Sequence, residues 1–166
     1  MTIDYGRALI GRYGDPDLLP LCERMVREGA WWDLVDGIAA WWVSPLYAAH
    51  RKTVRAVLDS WRRDESLWLR RAVLLAHLHH KEHTDEAALF ADVRALMHEE
   101  AFFIRKAIGW ALRQHSYVAP AAVAAFLTTH RRQLSGLSYR EGAKVLRRQG
   151  MLGEDDPAGA RRPARR

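Results

Sequence analysis

The sequence predicts an all-α protein, an α-solenoid in which HEAT-like helical pairs stack into a superhelix. Apolar residues recur at three- and four-residue spacing along most of the 166-residue chain, and strong helix formers such as Ala, Leu, Arg and Glu are abundant. No stretch alternates apolar and polar residues as a half-buried strand does. Two segments also repeat at a fixed distance, which is typical of stacked helical pairs.

Four helices are predicted in the N-terminal half, and each is bounded by a turn or a capping residue. Asp15-Pro16 is typical of a helix start, because Asp accepts free backbone N–H groups and proline is tolerated in the first turn. Gly29 ends the first helix, and Ser44-Pro45 ends the second. The predicted helices cover residues 16–28, 30–43, 46–63 and 66–81.

Four more helices are predicted in the C-terminal half. Thr84 is the expected cap of the fifth helix, and Ala119-Pro120 is the expected start of the seventh. Ser138 and Glu141 have the spacing of a capping box, which would open the eighth. These helices cover residues 84–99, 101–115, 119–133 and 138–150.

An internal repeat supports the paired arrangement. The segment SLWLRRAVLLAHLHH, which begins at Ser66, aligns with AFFIRKAIGWALRQH, which begins at Ala101, so the offset is 35 residues. The same offset brings Asp36, Arg71 and Lys106 into register. Because equivalent positions of stacked repeats lie on one surface, these three side chains are predicted to line a single groove.

Composition and charge limit the possible domain organisation and the possible binding partners. One helical-repeat domain is predicted over residues 1–149, with 1–14 as the remnant of a preceding repeat, followed by a basic disordered tail over 150–166. The chain carries 26 Lys and Arg against 20 Asp and Glu, which favours nucleic acid ahead of a membrane surface. A single cysteine, Cys22, excludes an internal disulfide and fits a reducing cytoplasm. No secretory signal or bilayer-spanning run is expected.

Two helices carry the residues best suited to chemistry. Trp32 and Asp36 are four residues apart, so they share one helical face, although this segment alone also fits a core indole beside a solvated carboxylate. Lys106, Trp110 and Arg113 share a face of the sixth helix, which is either solvated or an anion-binding surface with an aromatic platform. The repeat register favours the second interpretation, because it places Trp110 in the row that contains Asp36.

Several segments resemble one protein family. WWDLVD, WLRRAVLLAHL, FFIRKAIGWALR and LSYREGAKVL are similar to signature segments of the DNA alkylation repair family, the AlkD-like HEAT-repeat glycosylases, over residues 30–148. The resemblance implies a monofunctional glycosylase for N3- and N7-alkylated purines that leaves the lesion stacked. It also implies a catalytic cluster of Trp32, Asp36, Arg71 and Trp110, with Arg113 in contact with DNA.

The chemistry of these residue types is compatible with that activity. An alkylated purine already carries positive charge, and cleavage of its glycosidic bond builds a cation on the sugar, which the Asp36 carboxylate can stabilise. Indole faces attract cations, Arg71 is expected to hold a backbone phosphate, and Lys106 is a further expected DNA contact. Neither a metal nor an organic cofactor is expected.

Three alternatives remain open at this point. Family members carry helices upstream of the WWD segment, so this chain resembles an N-terminally shortened member. It is therefore a monomeric glycosylase on double-stranded alkylated DNA, a catalytically weak or inactive DNA- or protein-binding module, or a fragment that needs a second chain to complete the groove. His77, His79, His80 and His83 lie at the end of the fourth predicted helix. His79 and His83 have the spacing of metal ligands, but solvated helix-end histidines are the simpler expectation for all four. Cys22 is expected to be an inert core thiol.

Overall fold

The computed structural model describes residues 14–153, and these residues form a stack of helices without a β-strand. The all-α helical-repeat prediction is confirmed. A short 3-10 helix, Pro16–Leu18, leads into α1, and a π-helical segment, Ala39–Val43, joins α2 to α3. The α-helices are α1 (Leu19–Gly29), α2 (Trp32–Ile38), α3 (Ser44–Ala49), α4 (Arg51–Trp61), α5 (Leu67–Leu75), α6 (Glu86–Leu96), α7 (Phe102–His115), α8 (Pro120–Thr129), α9 (Gly136–Gly142) and α10 (Lys144–Arg148).

Four of these helices form one row of the stack. Helix α2 contacts α5, α5 contacts α7, and α7 contacts α9, while α1, α4, α6 and α8 pack against members of the row. One continuous apolar core lies between the helices, and its large fully buried side chains include Trp61, Leu69, Ile104 and Leu112. Each such side chain stabilises the fold by about 1.5–3 kcal/mol. The core therefore holds successive helices of the row in fixed register.

The predicted break at Ser44-Pro45 is wrong, because the helical path continues through these residues to Ala49. Pro45 has no N–H to donate, and its ring needs room on the preceding turn. The π turn provides that room, since the Ser44 N–H reaches back five residues to the Ala39 carbonyl. The chain leaves the helical path at His50 instead, where φ is −128° and ψ is 52°.

Two predicted capping residues are also wrong, and in each case a neighbour takes the role. Asp85, not Thr84, caps α6, because its carboxylate accepts a backbone N–H of the first turn at 3.0 Å. Ser135 caps α9, and its hydroxyl accepts the Ser138 N–H at 3.0 Å. Ser138 and Glu141 thus lie inside α9 and form no capping box. Their side chains contact α7 instead.

The two ends of the described region agree with the expected turn chemistry. Asp15 caps the first helical turn, accepting the Asp17 N–H at 2.9 Å. After α10 the backbone turns at Gly150, whose φ of 70° favours glycine. The predicted repeat remnant and basic tail fall mainly on residues 1–13 and 154–166, which lie outside the described residues.

A buried ionic cluster connects α4 and α6 with the segment that follows α5. Asp92 is fully buried, and its carboxylate accepts hydrogen bonds from Arg55, Arg62 and His77 at 2.8 to 3.0 Å. Burial alone would raise the pKa of Asp92. The hydrogen bonds from His77 and Arg55 outweigh burial and hold the pKa below its ordinary value. The carboxylate is therefore ionised in the folded protein at neutral pH.

The free energy of unfolding should fall in two stages as the pH is lowered. Burial lowers the pKa of His80 in the folded state, so the unfolded chain binds a proton first. The stability linked to neutral His80 is complete above about pH 6.5 and is lost as the pH falls through the lower folded pKa. Asp92 also has a lowered pKa, so its contribution is lost below about pH 4.

Urea unfolding at a series of pH values measures both stages. The variant His80→Gln removes the titrating imidazole and should abolish the first stage while leaving the second. An unfolding free energy that stays constant between pH 7 and pH 5 in the wild type would contradict the role given to His80.

Candidate active site

A solvent-open cavity of about 320 Å³ lies on the first three helices of the row, α2, α5 and α7. These helices are neighbours in the stack, so residues spaced one repeat apart converge on it. The lining side chains are Trp32, Asp36, Arg71, Phe102, Phe103, Lys106 and Trp110. The predicted grouping of Asp36, Arg71, Lys106 and Trp110 on one surface is therefore present in the structure.

Asp36 and Arg71 form a two-point ion pair in the wall of this cavity. Arg71 Nε donates to Asp36 Oδ1 at 2.7 Å, and Nη2 donates to Asp36 Oδ2 at 2.8 Å. The third nitrogen, Nη1, donates to the Phe103 carbonyl on α7. Arg71 is only 3% exposed, whereas the Asp36 side chain keeps 14% of its surface open. The carboxylate is thus held in one orientation at the cavity surface.

This pairing bears on the expected role of Arg71. All three guanidinium nitrogens donate within the protein, and the side chain is buried. The geometry favours Arg71 as the group that orients Asp36, since a bidentate fork constrains the carboxylate plane. Its expected contact with a DNA phosphate stays a prediction. The interaction with Phe103 also connects the carboxylate to α7, the third helix of the cavity.

Aromatic side chains form the rest of the wall. Trp32 is 44% exposed at the start of α2, and Trp110 is half-buried one turn after Lys106 on α7. Phe102 is exposed, and its ring lies 5.4 Å from that of Phe103. Large aromatic faces that remain open to solvent suit a ligand with a flat or cationic surface.

The predicted DNA-contact residues occupy two different places. Lys106 lines the cavity, whereas Arg113 lies outside its lining, two turns further along α7. Both pair with Glu141 of α9, at 3.0 Å for Lys106 and 2.9 Å for Arg113. Burial would raise the pKa of Glu141, but the hydrogen bonds from Lys144 and Lys106 outweigh it and keep the pKa low.

Sequence reasoning did not identify several groups that shape the site. The 35-residue offset pairs Phe103 with Trp68, but the contact between the Phe103 carbonyl and Arg71 depends on how closely α5 and α7 pack. The sequence pattern of Glu141 predicts a cap, whereas its pairing with α7 depends on the approach of α9. Phe102 and Phe103 are recognisable from the sequence, because the adjacent pair opens a helix that carries cations on one face.

Gly109 permits the close approach of α7 and α9. A methyl group at this position would lie 2.4 Å from Glu141 Cβ and 3.0 Å from the Ser138 carbonyl oxygen. The Ser138 hydroxyl also donates to the Arg105 carbonyl at 2.8 Å, so the two helices are joined along this side. Glycine is therefore required for Glu141 to reach the cations of α7.

Replacing Gly109 with alanine should lower the free energy of unfolding by about 1–3 kcal/mol, because the added methyl group overpacks a helix contact. For a chain of this size, each kcal/mol lost lowers Tm by about 2–4 °C. Thermal unfolding monitored by circular dichroism measures it. Gly153→Ala is the matched control, because an added methyl there meets nothing within 4 Å. Equal Tm values for the two variants would contradict the close contact.

The histidines after α5 have structural contacts. The fourth predicted helix continues to residue 81, whereas α5 ends at Leu75. His77 and His80 are buried, so the expectation of solvated histidines is wrong for these two, and His80 bonds to the Ser44 carbonyl at 2.8 Å. Within residues 14–153, no group of three or more His, Cys, Asp or Glu side chains is arranged to hold a metal ion.

Two further findings concern the same described region. Cys22 is fully buried, and burial raises the pKa of its thiol to about 12, so it is an unreactive core thiol as predicted. None of the helices in residues 14–153 has the length and apolar character needed to cross a membrane.

The fold and the cavity together define a helical-repeat protein whose open groove combines a fixed carboxylate, indole faces and basic side chains. This combination suits a ligand that presents a cation beside polyanionic groups.

Comparison with known proteins gives the family. Residues 6–146 match the family described as DNA alkylation repair enzyme, and the chain belongs to it. A solved structure described as a predicted DNA alkylation repair enzyme from Enterococcus faecalis is 31% identical, with a TM-score of 0.77. The match covers 87% of this chain and 66% of that one, so the chain spans slightly less than two thirds of its length. Comparison with curated proteins gave no match.

Proposed function

We propose that this protein is a monofunctional DNA glycosylase that hydrolyses the N-glycosidic bond of N3- and N7-alkylated purines in double-stranded DNA without deep base flipping. One observation carries the proposal. Asp36 lies at the surface of an open cavity, oriented by two hydrogen bonds from buried Arg71, with Trp32 and Trp110 in the same wall. Family membership supports DNA repair as the broader role.

The reaction needs stabilisation of positive charge more than it needs acid catalysis. As the C1′–N bond breaks, its electron pair moves to the alkylated purine and neutralises the base, while positive charge develops on the sugar. Water then adds to C1′ and releases a proton to solvent. A carboxylate that is already oriented stabilises the sugar cation without reorganisation, and Asp36 meets that requirement.

The aromatic wall supports selectivity for cationic lesions. Trp32 and Trp110 line the cavity with Asp36, and each indole face attracts a cation by about 0.5–2 kcal/mol. A neutral lesion loses this attraction and also needs a proton on the leaving base. The cavity is open rather than enclosed, which is compatible with a base that stays near its duplex position.

Lys106 and Arg113 are proposed DNA contacts, because phosphate contacts position a protein on duplex DNA without reading sequence. Both lie on the face of α7 that carries Trp110, so a strand held by them passes the cavity. Arg71 contributes mainly by orienting Asp36.

The proposal is tested by base release from duplex DNA that carries N7-methylguanine or N3-methyladenine. Release faster than the uncatalysed loss from the same DNA is expected, and release of a neutral lesion should stay at background. Absence of release together with salt-sensitive DNA binding would replace the glycosylase with a DNA-binding module.

A further inference from the structure

Glu141 pairs with three cationic side chains from two separate parts of the chain. Its Oε1 forms an ion pair with Lys106 Nζ at 3.0 Å and accepts a hydrogen bond from Lys144 Nζ at 2.7 Å, and its Oε2 accepts a hydrogen bond from Arg113 Nη1 at 2.9 Å. Lys106 and Arg113 come from α7, whereas Lys144 opens α10. Lys144 lies 38 residues after Lys106 in the chain, so only the packing of the last helices brings it to this position.

One carboxylate does not neutralise three cations. The Glu141 side chain is only 10% exposed, so its negative charge lies just beneath the surface. The side chains of Lys106, Arg113 and Lys144 are 41%, 28% and 46% exposed, so the positive charges face solvent. The cluster keeps a formal charge of +2. An ammonium has three donors and a guanidinium has five, so each cation has N–H groups left after its bond to Glu141.

The cluster adjoins the cavity. Lys106 belongs to both, and Trp110 lies between Lys106 and Arg113 on the same face of α7. The two cations are seven positions apart on the helix, which is about 10 Å along the axis. Because Gly109 lets α9 approach closely, Lys144 lies on the same side. An anion bound here would lie beside a ligand in the cavity.

We infer that Lys106, Arg113 and Lys144 form one binding site for a backbone phosphate of the DNA strand that passes the cavity, and that Glu141 is a positioning residue that holds the three cations together. The inference rests on the proposed function for the identity of the polyanion. It adds a DNA contact from α10, Lys144, and gives the carboxylate a role that opposes the mutual repulsion of the cations. The side chains are ordered before DNA arrives, so less conformational entropy is lost on binding.

The test measures affinity for undamaged duplex DNA by fluorescence anisotropy over a range of salt concentrations. Lys144→Ala should weaken binding several-fold for every sequence. It should also reduce the slope of log K against log salt, by at most about 0.9, the value for loss of a whole phosphate contact, because Lys106 and Arg113 still face the phosphate. Lys52→Ala is the matched control, because Lys52 is an exposed lysine of α4 outside the cavity lining. Lys144→Arg should restore most of the affinity. Equal losses in the Ala variants at positions 144 and 52 would overturn the site.

The positioning role of Glu141 has its own readout. In a Glu141→Gln background, the fold-change caused by Lys144→Ala should shrink, because Lys144 is no longer held beside the other cations. The same fold-change in both backgrounds would overturn positioning. Inorganic phosphate at constant ionic strength separates the sources of the anion. If the difference between wild type and Lys144→Ala persists in phosphate, the site selects the DNA diester. If phosphate abolishes the difference, free phosphate occupies the same site and displaces the DNA strand.

These outcomes are independent of base release. If wild type releases alkylated purines but Lys144→Ala binds DNA normally, the phosphate site fails and the glycosylase stands. If wild type releases none but Lys144→Ala selectively weakens binding, the phosphate site stands and the glycosylase fails.

Discussion

Asp36→Asn should reduce the release of N7-methylguanine by about 10²- to 10³-fold, the usual cost of removing a group that stabilises developing charge, which brings it to the uncatalysed rate for a slow enzyme. Asn keeps the shape of the side chain and removes the negative charge that stabilises the sugar cation. Affinity for undamaged DNA should remain or rise, because one negative charge beside the DNA is removed. Single-turnover base release and anisotropy titration measure the two effects separately.

Asp33→Asn provides the matched control for this experiment. Asp33 lies on the same helix, is exposed, and does not line the cavity, and its carboxylate accepts only the neighbouring Leu34 N–H at 2.7 Å among the hydrogen bonds described. It should release the base at the wild-type rate. Because the Asp36→Asn change leaves Arg71 without its charged partner, the Tm of each variant is compared with that of the wild type. Equal release by folded Asp36→Asn and wild type, above background, would show that Asp36 is not the catalytic carboxylate.

Asp92→Ala should have the largest effect on stability, a loss of about 3–5 kcal/mol in the free energy of unfolding. Asp92 is fully buried and accepts hydrogen bonds from Arg55, Arg62 and His77. Its removal leaves two guanidinium groups partly buried, with only Asp59 to balance them among the ion pairs of the described residues. Chemical unfolding at neutral pH measures the change.

Asp59→Ala distinguishes the buried carboxylate from its exposed neighbour. The Asp59 side chain is 38% exposed and pairs with the same two arginines, so its loss should cost less than about 1 kcal/mol. Similar losses for the two variants would mean that burial does not set the importance of Asp92. Because the cluster lies away from the cavity lining, base release per folded molecule should be unchanged in both variants.

The helical class, the repeat and most of the candidate cavity could be predicted from the sequence. Helix periodicity is a local property, so the apolar spacing was sufficient to predict an all-α chain. The 35-residue offset was equally informative, because stacked repeats convert a distance along the chain into proximity. It placed Arg71 opposite Asp36, and the structure joins them by two hydrogen bonds.

Helix boundaries were less predictable, because several local solutions compete within one turn of helix. Proline in a helix interior usually breaks or kinks the helix, yet a π turn accommodates Pro45 here. Ser138 and Glu141 match a capping box, but Ser135 caps the helix three residues earlier. The pattern that suggested the cap was instead an interaction between helices, since Glu141 pairs with cations of α7.

The burial of charged side chains and the pairing of charges between helices depend on tertiary packing. Arg71 is exposed or buried according to how closely α5 and α7 pack, and its burial favours a role in orienting Asp36. The meeting of Lys144 with Lys106 depends on the approach of α9 at Gly109. Sequence spacing records position along one helix or one repeat, whereas ion pairing depends on distances between helices, and those are set by the packing of the whole core.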